Sequence, residues 1–185
     1  LWDIATGTLV APPMRHDGFV FQIQFSPDGR LLATASQDGT VGLWSAVTGE
    51  PVLQPLPHSG GVSHVAFSTD SRLLAAGEDN GTVSIWDMGT ITRLAAPLPH
   101  QGAVHGLDFG PGGDLLISSA EDGMARFWAI PDRMEPAKTY PEAGWAFAFD
   151  SSGARLAVAY ADETIRIHHP HSQQSVGPAL TSDGV

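Results

Sequence analysis

A chain of 185 residues with 42% hydrophobic and 16% charged side chains is globular, and it carries neither a run of roughly 18 apolar residues nor a secretory leader pattern. The absence of cysteine excludes disulfides, thiol catalysis and cysteine-ligated zinc. A net charge of −11, with nine scattered Lys and Arg, denies a phosphate backbone its electrostatic footprint, so nucleic acid is excluded as a partner, and the acidity reads as solubility.

Strand and turn signals alternate along the whole length. Leu1 to Asp3 closes one strand, Ala5-Thr6-Gly7 turns, and Thr8 to Val10 starts another. The first complete unit has strands over Phe19 to Phe25, Arg30 to Ala35, Thr40 to Trp44 and Pro51 to Leu56. Ser26-Pro27-Asp28-Gly29 joins the first two, with Pro at the turn position where its ring fixes φ. The second unit repeats the pattern as Val62 to Phe67, Arg72 to Ala76, Thr82 to Trp86 and Thr92 to Leu98. The third runs Val104 to Phe109, Asp114 to Ser119 and Met124 to Trp128, then a weaker stretch at Met134 to Thr139, where Pro131 and Pro136 predict an edge strand. The fourth unit is degenerate: Trp145 to Phe149, Arg155 to Tyr160 and Thr164 to His168.

One period underlies these elements. Trp2, Trp44, Trp86 and Trp128 recur every 42 residues, as do His16, His58 and His100, and Phe25, Phe67 and Phe109. Such a period marks an array of four-stranded units that cannot bury their apolar faces alone, and it holds about 4.4 repeats in this length. Residues 1–15 then end a preceding unit, 16–57, 58–99 and 100–139 are full units, 140–180 is the degenerate one and 181–185 begin another. The expected class is all-β, with about four blades as an open arc or partial ring and the remaining blades lying elsewhere in a longer chain.

The residues that carry the repeat also carry a resemblance. His, a strand ending in Phe, Ser-Pro-Asp-Gly, Asp-Gly-Thr and then Leu-Trp or Ile-Trp-Asp resembles WD-repeat β-propellers, a family that most often closes its ring with about seven blades. The resemblance implies a buried tetrad of His, Ser or Thr, Asp and Trp in each regular blade. His16, Thr34, Asp38 and Trp44 form one full set, and His100, Ser118, Asp122 and Trp128 another. The second unit has His58 and Trp86 but Ala76 and Asn80; the last has Val158, Asp162 and His168. Those two are expected to rely on packing.

Thr34 with His16 and Asp38 has the residue types of a nucleophile, base and orienter, yet the set repeats from unit to unit and is read as structural rather than catalytic. His168-His169-Pro170-His171 suggests a metal, but alternation along a strand turns His168 and His169 to opposite faces. Gly110-Pro111-Gly112-Gly113 lacks the Lys and helix of a phosphate loop. Neither a cofactor nor a metal is expected.

The resemblance further implies capture of proteins or peptides on the narrower face of the ring. The matching positions are Phe19, Phe21, Ser63, His105 and Trp145 at the start of each innermost strand, with Gln37, Asp79 and Glu121 before the turns. Aromatic and acidic side chains in this set favour a basic peptide. The expected role is a non-catalytic scaffold in the cytoplasm, with no membrane association. The alternative is a sensing or docking portion of a larger enzyme such as a bacterial kinase or NTPase.

Overall fold

The structure, a computed structural model, describes residues 1–94, 96–130, 136–141, 143–170, 172 and 174–181, of which 136–141 and 143–145 are described by their backbone alone. A short antiparallel hairpin of β1 (Trp2–Asp3) and β2 (Thr8–Leu9) comes first. Sheet I follows as β3 (Val20–Phe25), β4 (Leu31–Ser36), β5 (Thr40–Ser45) and β6 (Leu56–Pro57), each beside the next. Sheet II is β7 (Val62–Phe67), β8 (Leu73–Glu78) and β9 (Thr82–Asp87), with its outer edge split between β10 (Thr92–Arg93) and β11 (Leu98–Pro99). Sheet III is β12 (Val104–Phe109), β13 (Leu115–Ala120), β14 (Met124–Ala129) and β15 (Pro136–Pro141). Sheet IV is β16 (Ala143–Phe149), β17 (Leu156–Tyr160), β18 (Thr164–His168) and β19 (Leu180–Thr181).

Local chemistry sets these hairpins. Ser26 Oγ donates to Asp28 Oδ1 at 2.6 Å, Asp28 accepts from the Arg30 N–H, and Gly29 supplies φ +70°; Ser68 and Asp70 repeat the first contact. The outer strands depart furthest from expectation. Of the outer strand expected over 134–139, residues 136–139 lie in β15 and 134 and 135 lie outside the described residues, while among the described residues of the stretch expected from Thr92 to Leu98 the strands are β10 and β11 at its two ends. Prolines suit an outer edge, where the missing N–H faces no neighbour.

Neighbouring sheets stack through their inner strands: β3 packs on β7, β7 on β12 and β12 on β16. Three apolar clusters fill the seams. Ala33, Ala35 and Val41 of sheet I meet Val62, Val65 and Phe67 of sheet II. Ala75, Val83 and Ile85 of sheet II meet Val104, Leu107 and Phe109 of sheet III, while Ile117, Ala125 and Phe127 of sheet III meet Leu156 and Val158 of sheet IV. At the first seam the small Ala33 and Ala35 receive the larger Val62, Val65 and Phe67. At Gly77 the approach is so close that a Cβ would lie 2.6 Å from Val104 Cγ1.

Polar groups join the inner strands as well. Gln22 Oε1 accepts from the Val65 N–H at 2.7 Å and Gln24 Oε1 from the Phe67 N–H at 2.9 Å, so side chains of β3 satisfy the free edge of β7. Ser63 Oγ donates to the Val104 carbonyl at 2.7 Å across the next seam. The four sheets form an open arc.

Candidate functional site

The inner strands of sheets I, II and III each start with a β-bulge, and that of sheet IV starts with a larger irregularity of register. The register slips between Val20 and Gln22, between Val62 and His64, between Val104 and Gly106, and between Ala143 and Phe147. The residues set out of pairing are therefore Phe21, Ser63 and His105, with Trp145 inside the fourth irregularity. A bulge re-aims the side chain it carries, which is why bulges recur beside binding sites. The side chain of Trp145 lies outside the described residues.

A cavity of about 460 Å³ brings Phe21, Gln37, Ser63, Asp79 and His105 together, with His64 beside them. Phe21 is exposed along one wall, and the Asp79 carboxylate lies over the backbone of Gly60 and Gly61, where any side chain would collide with it. His105 Nε2 lies 3.3 Å from Glu121 Oε1. Burial lowers the pKa of His64, the nearby His105 adds to the effect, and the Val104 carbonyl opposes it. Phe19 lines a neighbouring cavity with His16 and Gln37 rather than this one. Asp108 sits with Gln22, Gln24 and His64 in a polar hollow of about 390 Å³, and burial raises its pKa.

Behind this surface lie the buried fasteners. In sheet I, Trp44 Nε1 donates to Thr34 Oγ1 at 2.9 Å, Thr34 Oγ1 lies 2.6 Å from His16 Nε2, and His16 Nδ1 lies 3.0 Å from Asp38 Oδ2. Sheet III repeats the chain through Trp128, Ser118, His100 and Asp122 at 2.7, 2.7 and 3.2 Å. One proton arrangement satisfies both chains: indole to hydroxyl, hydroxyl to Nε2, Nδ1–H to carboxylate. Arg126 adds a second contact to Asp122 at 2.6 Å and also touches His100, whose pKa falls through burial first and the guanidinium second. The side chains of His100 and His16 are almost wholly covered.

Sheets II and IV hold a different polar solution where the sequence had suggested packing alone. Glu78 Oε1 lies 3.0 Å from His58 Nδ1, and Glu78 Oε2 accepts from Ser59 N–H, Ser59 Oγ and Gly60 N–H. Asn80 donates to the same oxygen at 3.2 Å. In sheet IV, Tyr160 occupies the slot equivalent to Glu78, and its hydroxyl lies 2.9 Å from His168 Nε2, with His168 opposite Leu156 where Trp stands elsewhere. Arg166 pairs with Asp162 and stacks on Tyr160 at 4.4 Å. The signal missed in the sequence is the position two beyond the expected hydroxyl, which reads Ser36, Glu78, Ala120 and Tyr160. His169 Nδ1 lies 3.0 Å from the Ala154 carbonyl, away from the buried His168, and His171 lies outside the described residues.

The family model described as WD domain, G-beta repeat, matches residues 7–45, 49–87 and 93–129, more than half of the chain. The chain belongs to the WD40 family. The WD40 repeats of RRP9, known from a crystal structure, superpose with a TM-score of 0.76 at 21% sequence identity, over 91% of this chain and 52% of that one. This chain thus spans about half the length of that WD40 structure, and the likeness supports the β-propeller fold. No curated protein sequence matches the chain. WD40 repeats mediate protein–protein interaction and are typically non-catalytic.

Proposed function

We propose that this WD40 chain is a non-catalytic interaction module that captures a basic peptide or protein segment at the cavity between Phe21 and His105. The observation that carries the reading is convergence: five positions far apart in sequence, Phe21, Gln37, Ser63, Asp79 and His105, line one concavity. An aromatic ring on one wall and a carboxylate on another suit a partner that combines apolar contact with positive charge. The net charge of −11 adds a long-range attraction for such a partner and repels polyphosphates and anionic bilayers.

Fluorescence anisotropy with Lys- and Arg-rich peptide pools, set against acidic pools of matched length, tests the proposal. Phe21→Ala combined with Asp79→Asn is expected to weaken capture of the basic pool at least about tenfold while the β circular dichroism stays unchanged. Equal capture by the folded double variant, or preference for the acidic pool, overturns it.

A further inference from the structure

Asn80 is the only asparagine of the chain, and it is followed by Gly81. It stands in the slot where the other sheets carry Asp38, Asp122 and Asp162, and in sheet II the carboxylate comes from Glu78 instead. The residue is exposed, on the turn between β8 and β9. Its Nδ2 donates to Ser59 Oγ at 3.0 Å and to Glu78 Oε2 at 3.2 Å, and its Oδ1 accepts from the Thr82 N–H at 2.9 Å. Gly81 has φ +86°, and its N–H makes a long bond of 3.2 Å to the Glu78 carbonyl.

We propose that Asn80 is a site of spontaneous deamidation, which converts the contact of amide and carboxylate in the sheet II fastener into two opposed carboxylates. The Gly81 nitrogen attacks Asn80 Cγ and gives up its proton, Nδ2 leaves as ammonia, and a cyclic imide forms. Water then opens the ring: cleavage of the bond from Cγ to nitrogen leaves aspartate, and cleavage of the backbone bond leaves isoaspartate. Glycine has no side chain to crowd the attacking nitrogen. The Thr82 N–H already points at the oxygen that gathers negative charge as the nitrogen adds. The product cannot keep the contacts of the amide. A carboxylate at position 80 has no hydrogen to give Ser59 or Glu78, and Glu78 is ionised: burial would raise its pKa, but hydrogen bonds led by His58 hold it at about 2. Two like charges then share a space that holds one. In isoaspartate the side-chain methylene enters the main chain next to Gly81, whose carbonyl accepts from the His100 N–H at 2.8 Å. The change therefore reaches sheet III as well, because His100 belongs to its fastener.

Ageing of the 185-residue protein at mildly alkaline pH tests the proposal, followed by peptide mapping of residue 80 and by enzymatic methylation of isoaspartate. An acidic form that maps to residue 80 is expected to become the main species and to be absent from the Asn80→Gln variant. The urea midpoint of the aged protein is expected to fall, and that of a fresh Asn80→Asp variant to lie below the midpoint of the unaltered protein. In the Glu78→Gln background, where the new carboxylate meets an amide, Asn80→Asp is expected to lower the midpoint less, which separates charge repulsion from general damage to the turn. An unmodified residue 80, after a time in which the synthetic peptide of residues 76–86 has converted completely, overturns the proposal, since the fold then protects the amide. An Asn80→Asp variant as stable as the unaltered protein, or an equal loss in the Glu78→Gln background, does the same.

Discussion

Glu78 stands to His58 as Asp38 stands to His16: a carboxylate oxygen lies 3.0 Å from Nδ1 in both pairs, although the two acids occupy different positions of the repeat. The longer glutamate side chain starts two residues earlier and reaches the same imidazole, while Asn80, in the aspartate slot, donates to it instead of competing. Truncating Glu78 leaves His58, Ser59 and Gly60 without their acceptor, and the His58 side chain is almost wholly covered. Glu78→Ala is expected to cost about 3–5 kcal/mol in urea unfolding, as for removal of one partner of a buried pair. Glu78→Ser with Asn80→Asp recreates the pattern of sheet I and is expected to recover most of that loss; a double variant no more stable than Glu78→Ala would show that the two slots are not interchangeable.

Ala76 marks the incomplete part of the same network. His58 Nε2 and Trp86 Nε1, which meet a shared hydroxyl in sheets I and III, have no hydrogen-bond partner among the described residues. A hydroxyl has moved instead to the facing strand, where Ser84 lies opposite Ala76 and bonds to Glu78 at 3.3 Å. Ala76→Ser puts an oxygen back between the two rings, and with two bonds gained at about 0.5–1.5 kcal/mol each it is expected to raise the urea midpoint. A lower midpoint would mean that Ser84 already fills the space.

Acid acts on all three fasteners together. Burial on its own would raise the pKa of Asp38, Glu78 and Asp122, but hydrogen bonds outweigh it and hold each at about 2, against ordinary values of 3.8 for aspartate and 4.5 for glutamate. The dominant donors are Thr40 and His16 at Asp38, His58 and Ser59 at Glu78, and Gln101 N–H and Arg126 at Asp122. Because the unfolded carboxylates take up protons first, the stabilisation is complete above about pH 5 and is lost as the pH falls toward 2. Urea midpoints measured at intervals from pH 7 to pH 3 are expected to hold and then drop below pH 5, and Glu78→Gln is expected to flatten the drop.

Trp128 combines a fully buried ring with the donor that begins the sheet III chain. Trp128→Ala removes both and is expected to cost about 3–5 kcal/mol. Trp128→Phe keeps most of the ring and removes only the donor to Ser118, so a loss of about 1–2 kcal/mol is expected. Equal losses for the two variants in thermal unfolding would assign the whole effect to the hydrogen bond.

The architecture was legible because the period repeats in three independent landmarks, and inner strands such as Val62–Phe67 and Val104–Phe109 lie at the residues that periodicity marks. Outer strands were less legible, since pairing there is broken and prolines blur the pattern. The fasteners of sheets I and III could be read residue by residue, whereas that of sheet II could not. A lone glutamate in an apolar strand gives no period of its own, and its role follows only from the three-dimensional meeting of Glu78, His58 and Asn80. The convergence of Phe21 and Asp79 on one cavity likewise depends on how adjacent sheets stack, which no single repeat encodes.

Gln22, Gln24 and Ser63 stitch the inner strands to one another, while β6, β10 and β11 are two-residue fragments at the opposite margin. Stability is therefore graded along the radius. Amide hydrogens of the circumference exchange through small local openings, and those of β7 and β12 exchange only when neighbouring sheets part company. Such a molecule yields from the perimeter, so insertions and sequence drift are absorbed there while the hub keeps its shape.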